Sequence, residues 1–231
     1  MSGRTPSRRP NSAPLPTRGQ VAGTFDEIAR SFDATRVDPW PEVVAFAGSL
    51  PSGSRVIDLG CGNGRHTQVL IESRQRAVAF DASRRLLDYA LRRARDADIV
   101  LGDLCALPFG GASFDAAIAV ASLQHLPTAT DRLMALREIA RILRPGGRTL
   151  LMVWAFEQPR FQEAAALQRN RRGHGLGDVW VPWRAGSKDV ERFYHLFVDG
   201  ELPGLVRDAG LRVERYLRSG DNYAVVAERN G

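Results

Sequence analysis

Nine consecutive residues, Val56-Ile57-Asp58-Leu59-Gly60-Cys61-Gly62-Asn63-Gly64, constrain the fold of this chain more than any other stretch. Val56, Ile57 and Leu59 suit a central parallel strand buried on both faces, and the three glycines let backbone come close to a ligand that a β-carbon would hold off. A helix can begin near His66. A dinucleotide-binding loop would read G-x-G-x-x-G, but here the third glycine comes one position early and Arg65 stands where that pattern needs glycine. Redox chemistry on a nicotinamide cofactor is disfavoured accordingly. Asp58 adds an anionic acceptor at the strand end, suited to a ligand carrying an ammonium group.

The next two strands extend the pattern. Ala77-Val78-Ala79-Phe80 ends in Asp81, 21 residues after Gly60, where a carboxylate can accept both hydroxyls of a ribose. The competing role for Asp81 is a helix cap, which Ser83 can also supply. Asp103 closes Leu101-Gly102-Asp103-Leu104, where it can accept from an adenine amino group while Leu104 packs on the ring. Asp58, Asp81 and Asp103 thus fall at the ends of successive parallel strands, on the rim where open α/β sheets bind ligands. The glycine loop resembles motif I of the class I S-adenosylmethionine (SAM) methyltransferases. Gly60, Gly62, Asp58, Asp81, Asp103 and Leu104 are accordingly the expected cofactor-binding residues.

The alternation continues beyond the loop. Strands are expected at 55–59, 77–81, 98–102, 114–120 and 148–155, with helices at 65–74, 83–95 and 131–143 and a turn at Pro145-Gly146-Gly147. A short helix near 202–209 precedes strands 211–218 and 222–228, close enough to pair as a hairpin. The fold class implied is Rossmann-like α/β, a mostly parallel seven-stranded sheet with helices on both faces and an antiparallel C-terminal hairpin. Upstream, Thr24 and Glu27 read as a capping box for a first helix, and Pro41 as the start of a second running to Leu50. Residues 157–200 depart from the alternation and read as an insertion on one face, rich in arginine, with Trp180, Pro182 and Trp183.

Residues 1–20, full of Pro, Ser and Arg without apolar periodicity, read as a disordered basic tail before a single domain of 21–231. A transit peptide is the weaker reading, because the prolines spoil an amphipathic helix. The longest apolar runs fall far below the roughly 20 residues that span a bilayer. Two cysteines, Cys61 and Cys105, without metal-ligand spacing, suit a reducing, cytoplasmic setting and no metal. A net charge of +6 favours an anionic partner, nucleic acid first, although the basic residues are almost all arginine and coding bias can contribute.

No nucleophile triad, carboxylate pair or zinc-protease pattern appears. Several segments instead resemble one family throughout residues 21–228. They are Thr35-Arg36 with Pro39-Trp40-Pro41, the glycine loop, Arg144-Pro145-Gly146-Gly147, Val153-Trp154-Ala155, Val181-Pro182-Trp183, and Arg192-Phe193-Tyr194-His195 with Gly200-Glu201-Leu202. The family is the tRNA wobble-uridine carboxymethyl methyltransferases. Gln124 departs from it, standing where animal members carry a histidine, and the segment from Trp154 to Val181 is shorter.

The resemblance implies methyl transfer from SAM to the carboxylate of 5-carboxymethyluridine at tRNA position 34. It implies that Arg36, His125, Arg192, Tyr194 and His195 position that substrate, and that the anticodon loop is held partly by Arg160, Arg169, Arg171 and Arg172. It further implies a small zinc-containing activator protein docked on the edge strand 98–102. A SAM-dependent methyltransferase acting on a small molecule is the alternative, and a non-catalytic tRNA-binding protein the more distant one.

Overall fold

The computed structural model describes residues 14–158, 161, 176–185 and 188–231. The chain runs α1 (Arg18–Thr35), α2 (Pro41–Gly48), β1 (Arg55–Leu59), α3 (Arg65–Glu72), β2 (Arg76–Asp81), α4 (Arg84–Arg93), β3 (Asp98–Leu101) and β4 (Phe114–Val120). After a 3-10 turn at Leu123–His125 come α5 (Ala129–Ile142), β5 (Leu143–Trp154), β6 (Asp178–Ala185), β7 (Lys188–His195), α6 (Glu201–Asp208), β8 (Leu211–Ser219) and β9 (Asn222–Arg229). Seven strands form one sheet in the order β3-β2-β1-β4-β5-β9-β8, with β9 antiparallel to both neighbours. This is the expected architecture.

Strand parity builds the core. Ile57, Leu59, Val78, Phe80, Ala117, Ala119, Leu151 and Val153 face α5 and α6, whose Leu136, Ile139, Leu202 and Val206 are buried against them. Val56, Ala77, Ala116, Ile118, Leu150 and Met152 face the other way, onto Val43 and Phe46 of α2 and Val69 and Leu70 of α3. Both faces are covered, which is why these strands read as continuous apolar runs.

The structure differs from the sequence reading in three places. The first helix begins at Arg18, because Thr17 and Gln20 make the capping box, while Thr24 lies mid-helix with its hydroxyl donating to the Gln20 carbonyl. The expected tail boundary therefore falls inside the helix, and residues 1–13 lie outside the described ones. The strand expected from Arg148 begins at Leu143, with an irregular register between Phe114 and Ala116 on its partner. Within the insertion, β6 and β7 form a separate two-stranded antiparallel ribbon, Val179 opposite Tyr194 and Val181 opposite Arg192.

Candidate active site

The carboxyl ends of β1 and β4 mark the point where the connections diverge to opposite sides of the sheet, the place where such folds bind ligands. A cavity of about 380 Å³ opens there. Its floor is the glycine loop. Gly60 has φ +74°, and a Cβ on it would come within 2.4 Å of the Ser122 Cβ, so only glycine fits. Gly64, at φ +78°, meets the Ala90 Cα in the same way, which packs the loop on α4. Ala121, just after β4, holds a left-handed φ of +54° and lines the cavity, a strained residue where the chain turns into the site.

Asp81 stands at the tip of β2 on the cavity wall. One carboxylate oxygen accepts the Gly62 N–H and the other the Ser83 N–H, each at 2.8 Å, and Ser83 itself caps α4. Asp81 is therefore spared the capping role, and burial raises its pKa. Asp103 and Leu104 also line the cavity, Asp103 accepting from the Cys105 N–H at 2.9 Å and from the Arg18 guanidinium at 2.7 Å. Asp58 is placed differently from the sequence reading. It is buried behind the loop rather than on the cavity wall and accepts the Thr67 hydroxyl at 2.7 Å. Burial pushes its carboxyl up to about 7.

Helix α1 roofs the cavity, presenting Val21, Ala22, Phe25 and Phe32 to it. Three polar clasps hold it down. Arg18 reaches Asp103 and Asp131; Asp26 accepts the Ser83 hydroxyl at 2.6 Å and the Arg85 N–H at 2.9 Å. Asp33 receives the Asn63 amide at 2.8 Å and Arg93 at 3.0 Å. Asn63, buried in the glycine loop, also donates to the Arg36 carbonyl at 2.9 Å, so the loop carrying Arg36 is tied directly to the cofactor side.

The substrate side is aromatic and cationic. Strand β7 turns Arg192 and Tyr194 to the cavity, where the Arg192 guanidinium donates to the Tyr194 hydroxyl at 2.5 Å. Tyr194 stacks on Trp154, ring centres 4.6 Å apart. Arg36 and Arg192 both lie over the Trp183 indole, at 5.4 and 4.5 Å, and Trp183 is anchored through Nε1 to the Ser31 hydroxyl at 2.8 Å. His125 packs edge-on to Phe25 and Tyr194. Its Nδ1 donates to the Phe193 carbonyl at 3.1 Å, and burial lowers its pKa to about 3, so the neutral ring offers Nε2 as an acceptor. In this state it is not the anion anchor that the sequence suggested.

His195 is outside the cavity altogether. Adjacent residues of a strand point to opposite faces, so His195 cannot share the face of Tyr194. Its Nδ1 meets Asp178 and its Nε2 meets Glu201, each at 2.7 Å. Arg160, Arg169, Arg171 and Arg172 lie outside the described residues. Among the cavity residues to which the sequence assigned no role are Arg18, inside the supposed tail, His66, and Gln124, which appeared there only as a departure. His66 accepts the Trp40 N–H at 3.3 Å and is also held neutral by burial, near 3. The Thr17–Gln20 capping spacing is the signal that would have found Arg18.

A glycine floor too tight for any β-carbon, an acidic tip on the second strand and this strand order define a class I SAM-dependent methyltransferase. Residues 57–151 match a family model described as a methyltransferase domain. The chain is 33% identical to the tRNA (carboxymethyluridine(34)-5-O)-methyltransferase of Schizosaccharomyces pombe over 233 residues, covering 91% of this chain and 96% of that protein. It is 42% identical over 156 residues to the Macaca fascicularis tRNA (carboxymethyluridine(34)-5-O)-methyltransferase ALKBH8. The chain belongs to the tRNA (carboxymethyluridine(34)-5-O)-methyltransferase family. Its matched part spans 23% of the macaque protein and 41% of the Xenopus tropicalis relative.

Among solved structures, a Methanosarcina mazei SAM-dependent methyltransferase superposes with a TM-score of 0.70 at 19% identity, covering 84% of this chain and 99% of that one. A Haloferax volcanii methyltransferase in complex with the Trm112 methyltransferase activator gives 0.69 at 20%, covering 91% and 98%. Both show the shared fold. No helix among the described residues is long and apolar enough to cross a membrane.

Proposed function

We propose that this chain transfers a methyl group from SAM to the carboxylate of 5-carboxymethyluridine at position 34 of tRNA. The observation that carries the acceptor's charge is the convergence of Arg36 and Arg192, both lining the cavity, on the indole of Trp183. The cofactor, when bound, supplies an electrophilic methyl on sulfur. Asp81 fits its ribose, because each oxygen already takes one backbone N–H and keeps a lone pair for a hydroxyl. Gly60 and Gly62 bring backbone against it, Asp103 and Leu104 fit the adenine, and Asp58 lies buried beneath the loop, held by the Thr67 hydroxyl.

A carboxylate is already ionised at neutral pH, so the protein needs no general base and works by positioning and by excluding water. Arg36 and Arg192 bind the anion, the Tyr194 hydroxyl is aligned by Arg192, and the Trp154–Tyr194 stack gives a flat wall for an unstacked base. His125 Nε2 suits a donor on the base. The α1 roof keeps solvent from the cofactor side.

The partners of this reading are a tRNA anticodon loop and a small zinc-containing activator protein that adds to the free edge of β3. That strand is the outermost of its side of the sheet, with Leu101 48% exposed, and a bare apolar edge invites strand addition. The test is mass spectrometry of tRNA nucleosides after incubation with SAM, with the activator present and absent. Conversion of carboxymethyluridine to its methyl ester is the expected result. Absence of methyl transfer to any tRNA, alongside SAM binding, would favour a small-molecule acceptor instead.

A further inference from the structure

Gln124 carries a buried hydrogen-bond donor that meets no acceptor among the described residues. It sits in the 3-10 turn after β4, is 0% exposed and lines the cavity. Its Oε1 accepts the Trp154 backbone N–H at 2.9 Å. That bond fixes the amide, since the flipped form would set N–H₂ against N–H. Nε2 therefore points away from Trp154 N, and among the described residues it has no hydrogen-bond partner. A buried donor left unmatched lowers stability, and holding the Trp154 N–H needs only the acceptor half of the amide. The neighbours narrow what Nε2 is for. Arg36 and Arg192 supply cations and His125 supplies a lone pair, so Gln124 adds a neutral amide donor to a wall that also holds the Tyr194 and Ser122 hydroxyls.

We infer that Gln124 Nε2 donates to the non-attacking oxygen of the substrate carboxylate, and that this contact selects uridines whose substituent bears an acceptor. The inference rests on the methyl-transfer reading above. A cation placed on the attacking oxygen would draw off the electron pair that must reach the methyl carbon. A neutral amide on the other oxygen sets the carboxylate plane without that loss. An unmodified uridine has no substituent oxygen to offer and leaves Nε2 unpaired, the kind of mismatch that polar sites reject strongly.

Gln124→Glu tests this with little change of shape. One carboxyl oxygen can still accept the Trp154 N–H. Ionised, the other faces the substrate with like charge; protonated, it again offers a donor, and burial raises the pH at which that occurs. For tRNA bearing carboxymethyluridine, kcat/KM of Gln124→Glu at pH 8 should fall at least about 100-fold, with SAM affinity within about twofold of wild type. Lowering the pH to 6 should recover at least about tenfold of the loss while wild type changes less than about threefold.

Gln124→Met, which has no donor at any pH and also gives up the acceptor of the Trp154 N–H, should lower the Tm and lose about tenfold in kcat/KM without recovery, again with SAM affinity kept. If Gln124→Glu does not fold, a tenfold loss in Gln124→Met with intact SAM affinity supports the contact, and an unchanged kcat/KM overturns it. A wild-type protein inert on this tRNA removes both the methyl-transfer reading and the contact. An active wild type with Gln124→Glu near normal, or impaired equally at both pH values, overturns the Gln124 assignment alone.

Discussion

At the scale of single residues, the site divides into groups whose charge acts and groups whose position acts. Arg36 belongs to the first. It is half-buried, its guanidinium rests between Phe32 and Trp183, and its backbone is fixed through Asn63. Arg36→Ala should lower methylation of carboxymethylated tRNA at least about tenfold, matching a charged hydrogen bond of about 1.5–3 kcal/mol, while SAM affinity and Tm stay near wild type. Lysine there should rescue only in part, since it lacks the planar fork. A normal rate in Arg36→Ala would move the anchor to Arg192.

Asp81 belongs to both groups. Asp81→Ala should weaken SAM binding about 10–100-fold by calorimetry and, because it also strips the Gly62 and Ser83 N–H groups of their acceptor, should lower the Tm of the cofactor-free protein. Asp81 and the glycines were legible because strand, loop and acid lie close in sequence. The neutrality of His125 was not, since it comes from burial by side chains distant in sequence, Phe25 and Tyr194 among them, against the opposing pull of the Phe193 carbonyl.

At the scale of elements, the ribbon β6–β7 shows what local pattern conceals. The segment 178–183 is rich in strand-forming Val179, Trp180, Val181 and Trp183, but Pro182 reads as a breaker. The ribbon tolerates it because Pro182 is exposed on a two-stranded edge. Parity then decides function, sending Arg192 and Tyr194 to the cavity and His195 to the far side. There His195 joins Asp178 of β6 to Glu201 of α6, with the Arg132 charge nearby. Burial opposes its charge, but the bonds to Asp178 and Glu201 outweigh that and raise its pKa above the ordinary 6.5.

A raised histidine stabilises fully below its unfolded value of about 6.5 and stops doing so as pH climbs through the folded value. Wild-type Tm should therefore fall as pH rises from about 6.5, and His195→Gln should have a lower Tm at pH 6 and a shallower decline above it. His66 and His125, neutral in the fold, act in the opposite direction on the acid side, and Asp58 titrates near 7, so the difference between the two proteins is the quantity to read. Equal pH slopes for the two would remove His195 from this role.

At the scale of the whole molecule, the five parallel strands were readable because each is a local run with its own turn, whereas the roof and the ribbon meet the sheet only through long-range contacts. The free edge at β3 yields a prediction of its own. Purified alone, the chain should be poorly soluble or weakly active, and co-expression with the activator should raise both; a monodisperse, fully active lone chain would count against a partner at that edge.

The three clasps of α1 have a further consequence, which concerns salt. Underneath, the roof meets the cavity through apolar side chains, but what fastens it is charge in partial contact with water: Arg18 is 39% exposed, Asp103 40% and Arg93 27%. Mobile ions screen such pairs within about 8–10 Å at physiological strength and far more closely at 1 M, while leaving the buried sheet untouched. Raising sodium chloride from about 0.05 to 0.5 M should therefore speed SAM dissociation about threefold or more in stopped-flow, with little change in Tm. The rate at which this enzyme exchanges its cofactor would then be set by ionic strength at its rim, independently of the stability of its core.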